Sequence, residues 1–287
     1  MQPPTRLDGS LAIVAGAGRG IGRAIAVQLA TAGARLLLAA RTEGELRETA
    51  ELCTAHGAVT DFVTANIASA ADVEALVERA GAPHVAVNAA GVYGPIGSSL
   101  EVDAQDWADA VRVNLVGTFH FCRTVARPMV QQRHGKIIVL AGGGATAPLP
   151  FLSSYAAAKA GVVRLVETLA EELAEANVQV NAIAPGLVDT KLQDDVLVAG
   201  ERAGPLFEKI RAARESGAGT VGPEIAAQLA LFLASPESGS LTGKLIAAPH
   251  DPWREWAGRG AELNASPLYT LRRLDRHTLE PLLERTE

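Results

Sequence analysis

The 287-residue sequence predicts a doubly wound α/β fold: a parallel sheet of about seven strands, with helices on both faces, in a single domain. Two observations carry that reading. Short apolar runs alternate along the chain with segments of helical length and period. Several of those runs are continuous in Val, Ile, Leu and Ala, as strands covered on both faces must be, and the connections between them are long enough for right-handed crossovers.

Taken in order, strand one spans Ser10 to Ala15 and runs into a glycine cluster, with a helix beginning near Ile21. Strands two to four are Ala34 to Ala40, Val59 to Val63 and His84 to Asn88. Between the strands lie Ala-, Leu- and Glu-rich helices, of which a long one near Ala104 to Arg133 precedes strand five, Lys136 to Leu140. A second, Ser154 to Ala176, precedes strand six, Val178 to Ile183, and strand seven is Lys244 to Ala248. Between strand six and the next helix, Lys191 to Thr220 is too long for a plain connection and predicts a lid. From Pro249 the pattern breaks into a mixed-charge extension. Its Trp253, Trp256, Leu263, Leu268, Tyr269 and Leu271 are too apolar for a free tail, so the extension should dock on its own domain or on a neighbouring subunit.

Composition narrows the function. With 48% hydrophobic and 20% charged residues the chain can bury a large core. A net charge of −6 and a pI near 5.6 argue against a nucleic-acid footprint or a polybasic membrane patch. Cys53 and Cys122 form no C-x-x-C, and no histidine pair has ligand spacing, so neither a disulfide framework nor a metal site is expected. No apolar run approaches the length of a membrane span, and no charged leader precedes strand one. A reduced, cytoplasmic setting is expected.

Gly16, Gly20 and Gly22 lie between strand one and its helix, in G-A-G-R-G-I-G. Glycines let the backbone turn sharply and approach a pyrophosphate, while the helix N-terminus offers amides and a positive dipole end. A dinucleotide site follows. At the end of strand two, where a carboxylate would hold an adenosine 2′-hydroxyl, the chain has Ala40 and Arg41. Arg41 and Arg19 offer guanidinium forks to a 2′-phosphate, which favours NADP(H) over NAD(H). Farther on, Tyr155 and Lys159 stand one helical turn apart on one face, so an ammonium can sit by the phenol and is expected to draw its pKa down toward neutrality.

These features, with N-A-A-G at Asn88 to Gly91, V-N-L-V-G-T-F at Val113 to Phe119 and N-A-I-A-P-G-L-V-D-T at Asn181 to Thr190, make residues 8 to 248 resemble the short-chain dehydrogenase/reductase family. The resemblance implies a Rossmann-type fold and a nicotinamide cofactor laid across the C-terminal edge of the sheet. Gly16, Arg19, Gly20, Ile21, Gly22, Arg41, Asn66 and Ile67 would flank its adenosine end together with Asn88, Ala89 and Gly91. Pro185, Gly186, Val188 and Thr190 would flank the nicotinamide. Tyr155 would exchange the substrate proton, Lys159 would hold the nicotinamide ribose, and Asn114 would hold a relay water or, equally, bond only to backbone. The expected domain layout is a dinucleotide-binding and catalytic domain over 1–248, with its lid at about 191–220, and an extension over 249–287. Family resemblance and the apolar helices point to a homodimer or homotetramer.

Three departures stand out. The family's serine, thirteen residues before the tyrosine, is Gly142 here; the usual aspartate near the adenine is Asn66; and the last strand leads into L-T-G-K-L-I-A-A-P-H-D-P-W. Candidates to replace the serine hydroxyl are the Gly143 and Gly144 amides, Thr146, Ser153 and Ser154, although the two serines are better placed to cap the helix. Gly142→Ser is expected to leave the fold intact and to raise activity on simple ketones, unless the bare glycine makes room for a bulkier substrate. The reading is an oxidoreductase that interconverts a secondary alcohol and a ketone, the substrate being a sugar, a polyol or a natural-product intermediate. Two rivals remain: a catalytically weak NADP-binding sensor or partner protein, and an epimerase or lyase that uses bound cofactor transiently.

Overall fold

The computed structural model describes residues 5–273 and 275. Its sheet has seven parallel strands in the order β3-β2-β1-β4-β5-β6-β7. They are β1 Leu11–Ala15, β2 Arg35–Ala40, β3 Thr60–Thr64, β4 Val85–Asn88, β5 Gly135–Leu140, β6 Val178–Ala184 and β7 Leu245–Ala247. The expected strands agree with these to within a residue at each end. From β1 the chain steps outward to β2 and β3, then crosses back to lay β4 on the other side of β1. That reversal opens a crevice above the carboxyl ends of β1 and β4, where doubly wound sheets bind ligands.

Alternation within each strand feeds two separate cores. Ala12, Val14, Leu36 and Leu38 face the side covered by α1 (Gly20–Thr31), α2 (Glu43–Ala55) and α9 (Pro223–Ala234). Ile13, Ala15, Leu37 and Ala39 face α3 (Ala70–Ala80), α5 (Gly117–Gln132) and α6 (Ser153–Glu172). α4 (Ala104–Val111) continues into α5 through a π-helical segment, Arg112–Val116. Such a local widening of the helix is often found at functional sites.

Residues 187 to 221 form a closed excursion. Its ends are joined by a bridge between Val188 and Val221, with the Val221 N–H donating to the Leu187 carbonyl at 2.9 Å. Within it lie α7 (Lys191–Ala199) and α8 (Pro205–Ser216), so the segment expected to form a lid is helical over most of its length. Val196, Ala203 and Ile210 pack with Leu152, Tyr93 and Tyr155 in a third, smaller apolar cluster.

The extension docks on its own domain as far as it is described; residues 274 and 276–287 of it lie outside the described residues. Trp253, Trp256 and Leu263 are buried in the α1/α9 core, while Leu268 stays half exposed. The chain then runs beside the sheet edge, where the Leu245 N–H donates to the Tyr269 carbonyl at 2.8 Å. Glu167 on α6, 8% exposed, accepts from the Leu271 N–H at 2.5 Å and pairs with Arg164 and Arg272. Capping β7 in this way satisfies an otherwise open edge. Trp256, only 2% exposed, carries much of this docking: Trp256→Ala should lower unfolding free energy by about 3–5 kcal/mol in urea titration, whereas a loss below about 1 kcal/mol would show that the extension does not contribute to the core.

Candidate active site

A cleft runs along the carboxyl edge of the sheet in two continuous parts. The outer part, about 200 Å³, lies over the start of α1; the inner part, about 430 Å³, lies over the ends of β5 and β6. Ile21, Ala89, Gly91 and Thr190 border both.

The outer groove is shaped by backbone contact. Gly16 has φ +78°, and a Cβ there would meet the Ala90 nitrogen at 2.5 Å; one on Gly22 would meet the Gly16 carbonyl oxygen at 2.1 Å. No other residue fits either position. The loop carbonyls are occupied on the far side: Thr49 donates to Ala17 at 3.0 Å, and the Arg23 guanidinium donates to Gly18 at 2.6 Å. α1 has no carboxylate in its first turn, which leaves its positive end toward the groove. Gly16, Arg19, Gly20, Ile21 and Gly22 line this groove, as do Arg41, Asn66, Ile67, Ala89, Gly91 and Thr190. A phosphate-bearing dinucleotide fits such a cradle.

The two arginines are not equivalent. Arg19 pairs with Glu45 on α2 at 3.0 Å, and Glu45 also borders the groove. Arg41 stands exposed in the wall. Sequence reading could not distinguish them, because Glu45 comes from another element. Asn66 is turned locally: its Oδ1 accepts from the Ala68 N–H at 3.1 Å.

Asn88 and Asn114 do not line the cleft; both act on the main chain behind it. Asn88 is 1% exposed, donates to Thr118 at 3.0 Å and accepts from the Ala90 N–H at 3.1 Å, which fixes the turn after β4. Asn114, in the π-helical segment and fully buried, donates to the Val92 carbonyl at 2.8 Å and the Ala110 carbonyl at 2.9 Å. Its Oδ1 accepts from the Val92 N–H at 3.2 Å. Of the two roles open to Asn114, the described contacts are those with backbone.

The inner cleft is lined by Tyr155 and Lys159 from α6, by Gly142 and Gly143 after β5, and by Pro185, Gly186 and Val188 after β6. Lys159 Nζ donates to the Leu140 carbonyl at 2.7 Å and lies 5.6 Å from the centre of the Tyr155 ring. Burial pushes the ammonium down to about 8. Burial also pushes the Tyr155 phenol well above its ordinary range, and nearby Tyr93 adds to the rise. The expectation that Lys159 draws the phenol toward neutrality is thus corrected: desolvation of the phenolate outweighs an ammonium whose hydrogen bond goes to β5.

Gly142 stands directly against Tyr155. A Cβ there would stand 2.5 Å from the Tyr155 hydroxyl, so the phenol occupies the space a serine would need. Nor do the neighbouring serines cap α6, whose N-cap residue, Leu152, makes no side-chain cap. Ser153 accepts from Trp107 Nε1 at 3.0 Å and from Ser99 at 2.9 Å; Ser154, fully buried, donates to the Tyr93 carbonyl at 3.5 Å. Residues not singled out in the sequence also border the inner cleft: Tyr93, Gln193, Lys209 and His250. Tyr93 directly follows N-A-A-G-V, the one signal that could have drawn attention to it.

The short chain dehydrogenase family model matches residues 10–198. The chain is 39% identical over 254 residues to the short-chain reductase protein NovJ of Streptomyces niveus, covering 83% of this chain and 91% of that one. It is 32% identical over 243 residues to the 3-oxoacyl-[acyl-carrier-protein] reductase FabG of Escherichia coli, covering 83% and 95%. Among solved structures, an actinorhodin polyketide ketoreductase variant with NADPH superimposes with a TM-score of 0.76 at 31% identity, covering 83% and 95%. With its sheet order, its glycine turn and its paired Tyr155 and Lys159, the chain belongs to the short-chain dehydrogenase/reductase family of oxidoreductases.

Proposed function

We propose that this protein interconverts a ketone and a secondary alcohol with NADP(H), Tyr155 moving the proton. The observation that carries the reading is the position of Tyr155: its side chain borders the inner cleft, which is continuous with a groove built for a dinucleotide. When bound, the cofactor supplies or accepts the hydride. A phenol held neutral by burial suits a proton donor, so Tyr155 protonates the ketone oxygen as negative charge builds there. Lys159, anchored on Leu140, would hold the cofactor's ribose through its ammonium. Asn88 and Asn114 hold the 88–92 backbone that floors the cleft. α7 and α8 cover Tyr155 as a lid, and its closure would exclude water.

NADP(H) preference rests on Arg41, the exposed cation at the adenosine end, since Arg19 already pairs with Glu45. Similarity to an NADPH-bound ketoreductase supports it. The cleft takes a mid-sized substrate of mixed polarity, for which a sugar, a polyol or a natural-product intermediate fits. The exposed Val116, Phe119 and Val130 at the start of and along α5 support assembly into a homodimer or homotetramer.

Ketone-dependent loss of nicotinamide absorbance tests the reading. Tyr155→Phe should lower kcat by about 10²- to 10⁴-fold, and near-normal turnover would exclude the proposed proton transfer. With the phenol neutral throughout, kcat/KM for reduction should be level below about pH 8 and fall above it as Lys159 loses its proton. A profile that rises across that range contradicts the assignment. NADPH should bind tighter than NADH by about ten- to a hundredfold, and Arg41→Asp should narrow or reverse that gap; equal affinities in the unmutated protein count against Arg41. Gly142→Ser must displace the Tyr155 hydroxyl, so instead of raising activity it should lower kcat by about 10²-fold.

A further inference from the structure

Hydride arrival makes the ketone oxygen an oxyanion, and one donor rarely suffices: losing one of two typically costs about 10²- to 10³-fold in rate. This inference rests on the carbonyl-reduction reading above. Gly142 has no side chain to supply a second donor, and of the hydroxyls near Tyr155 most are excluded by position. Ser153 is held by Trp107 and Ser99, away from the cleft. Ser154 is fully buried behind it, against the Tyr93 carbonyl. Thr146 borders the cleft but stands exposed on the glycine-rich loop after β5.

Tyr93 is different. It borders the inner cleft, is 6% exposed, and sets its ring edge-on to that of Tyr155, with centroids 4.9 Å apart at 73°. Its hydroxyl donates to Gln193 Oε1 on α7 at 3.3 Å, a long bond that a better acceptor can replace. The backbone on either side is fixed. Asn114 holds both the Val92 N–H and the Val92 carbonyl, and Ser154 reaches the Tyr93 carbonyl. Gly94 follows at φ +77°, where a Cβ would lie 2.3 Å from the Ala110 Cβ, so no other residue allows the close approach to α4. Burial raises the Tyr93 phenol above its ordinary range, so it remains a donor at neutral pH.

We propose that the Tyr93 hydroxyl is the second hydrogen-bond donor to the substrate oxygen, supplying what Gly142 cannot. Gln193 holds that hydroxyl on the lid until a ketone oxygen takes it, and Asn114 is a positioning residue for Tyr93. No proton leaves Tyr93: the carbonyl carbon gains the hydride, the oxygen gains the Tyr155 proton, and Tyr93 only stabilises the charge between.

The test measures NADPH oxidation with cyclohexanone and ethyl acetoacetate in the unmutated protein, Tyr93→Phe and Tyr155→Phe. Tyr93→Phe should lower kcat by about 10²-fold with KM and NADPH affinity little changed. The isotope effect from NADPH deuterated at the transferred hydrogen should grow, as hydride transfer becomes slower than the other steps. A change in packing alone would move KM, NADPH binding or thermal stability without enlarging that isotope effect. If Tyr155→Phe abolishes turnover while Tyr93→Phe stays within about threefold of the unmutated protein, this inference is overturned and the proposed function stands. If the unmutated protein oxidises NADPH with neither ketone and with no keto sugar such as D-fructose or D-xylulose, both are overturned.

Discussion

The geometry of the inner cleft depends on the missing side chain at Gly142. Because Gly142, two residues beyond β5, has no Cβ, the Tyr155 hydroxyl lies in space a serine there would fill. Lys159, one turn farther, reaches the Leu140 carbonyl, and Tyr93 closes edge-on from the β4 side. α7 and α8 complete the enclosure with Val196 and Ile210. The result is a phenol in surroundings that penalise its ionised form, next to a lysine that burial also weakens as an acid-stabilising charge.

Desolvation and ion proximity oppose each other at this site, and the outcome bears on mechanism. An ammonium in hydrogen-bond contact can lower a phenol pKa, but here the lysine's hydrogen bond goes to a carbonyl and low-polarity packing dominates. A neutral phenol donates a proton; it does not accept one. The enclosure therefore suits Tyr155 to its proposed role as proton donor to a ketone. It also makes a second, fixed donor to the oxyanion more valuable, since the same low polarity strengthens every hydrogen bond inside it.

Much of this was legible in the sequence, for physical reasons. Strand runs such as Leu36–Ala40 are apolar on both faces because both faces are covered, so they read as parallel strands. Gly16 and Gly22 were legible because the turn leaves no room for a Cβ, and Tyr155 with Lys159 because helical period puts them on one face. What stayed hidden depends on contacts between distant elements. The Arg19–Glu45 pair joins a loop to α2, the Leu140 carbonyl that takes the Lys159 proton donor belongs to β5, and Tyr93 is one aromatic after a turn with no periodic pattern to mark it. The docked extension was legible only as an excess of tryptophan and leucine, not as a cap on the edge of β7.

The claim on which the mechanism turns is that Tyr155 is held neutral by its enclosure. Carbon-13 NMR of protein labelled at the tyrosine ring Cζ, assigned with Tyr155→Phe, measures this directly. The Tyr155 signal should remain that of the neutral phenol up to and beyond the ordinary tyrosine value of about 10. A midpoint near neutral pH would contradict the account, because a phenol already ionised there cannot be the proton donor that burial makes it.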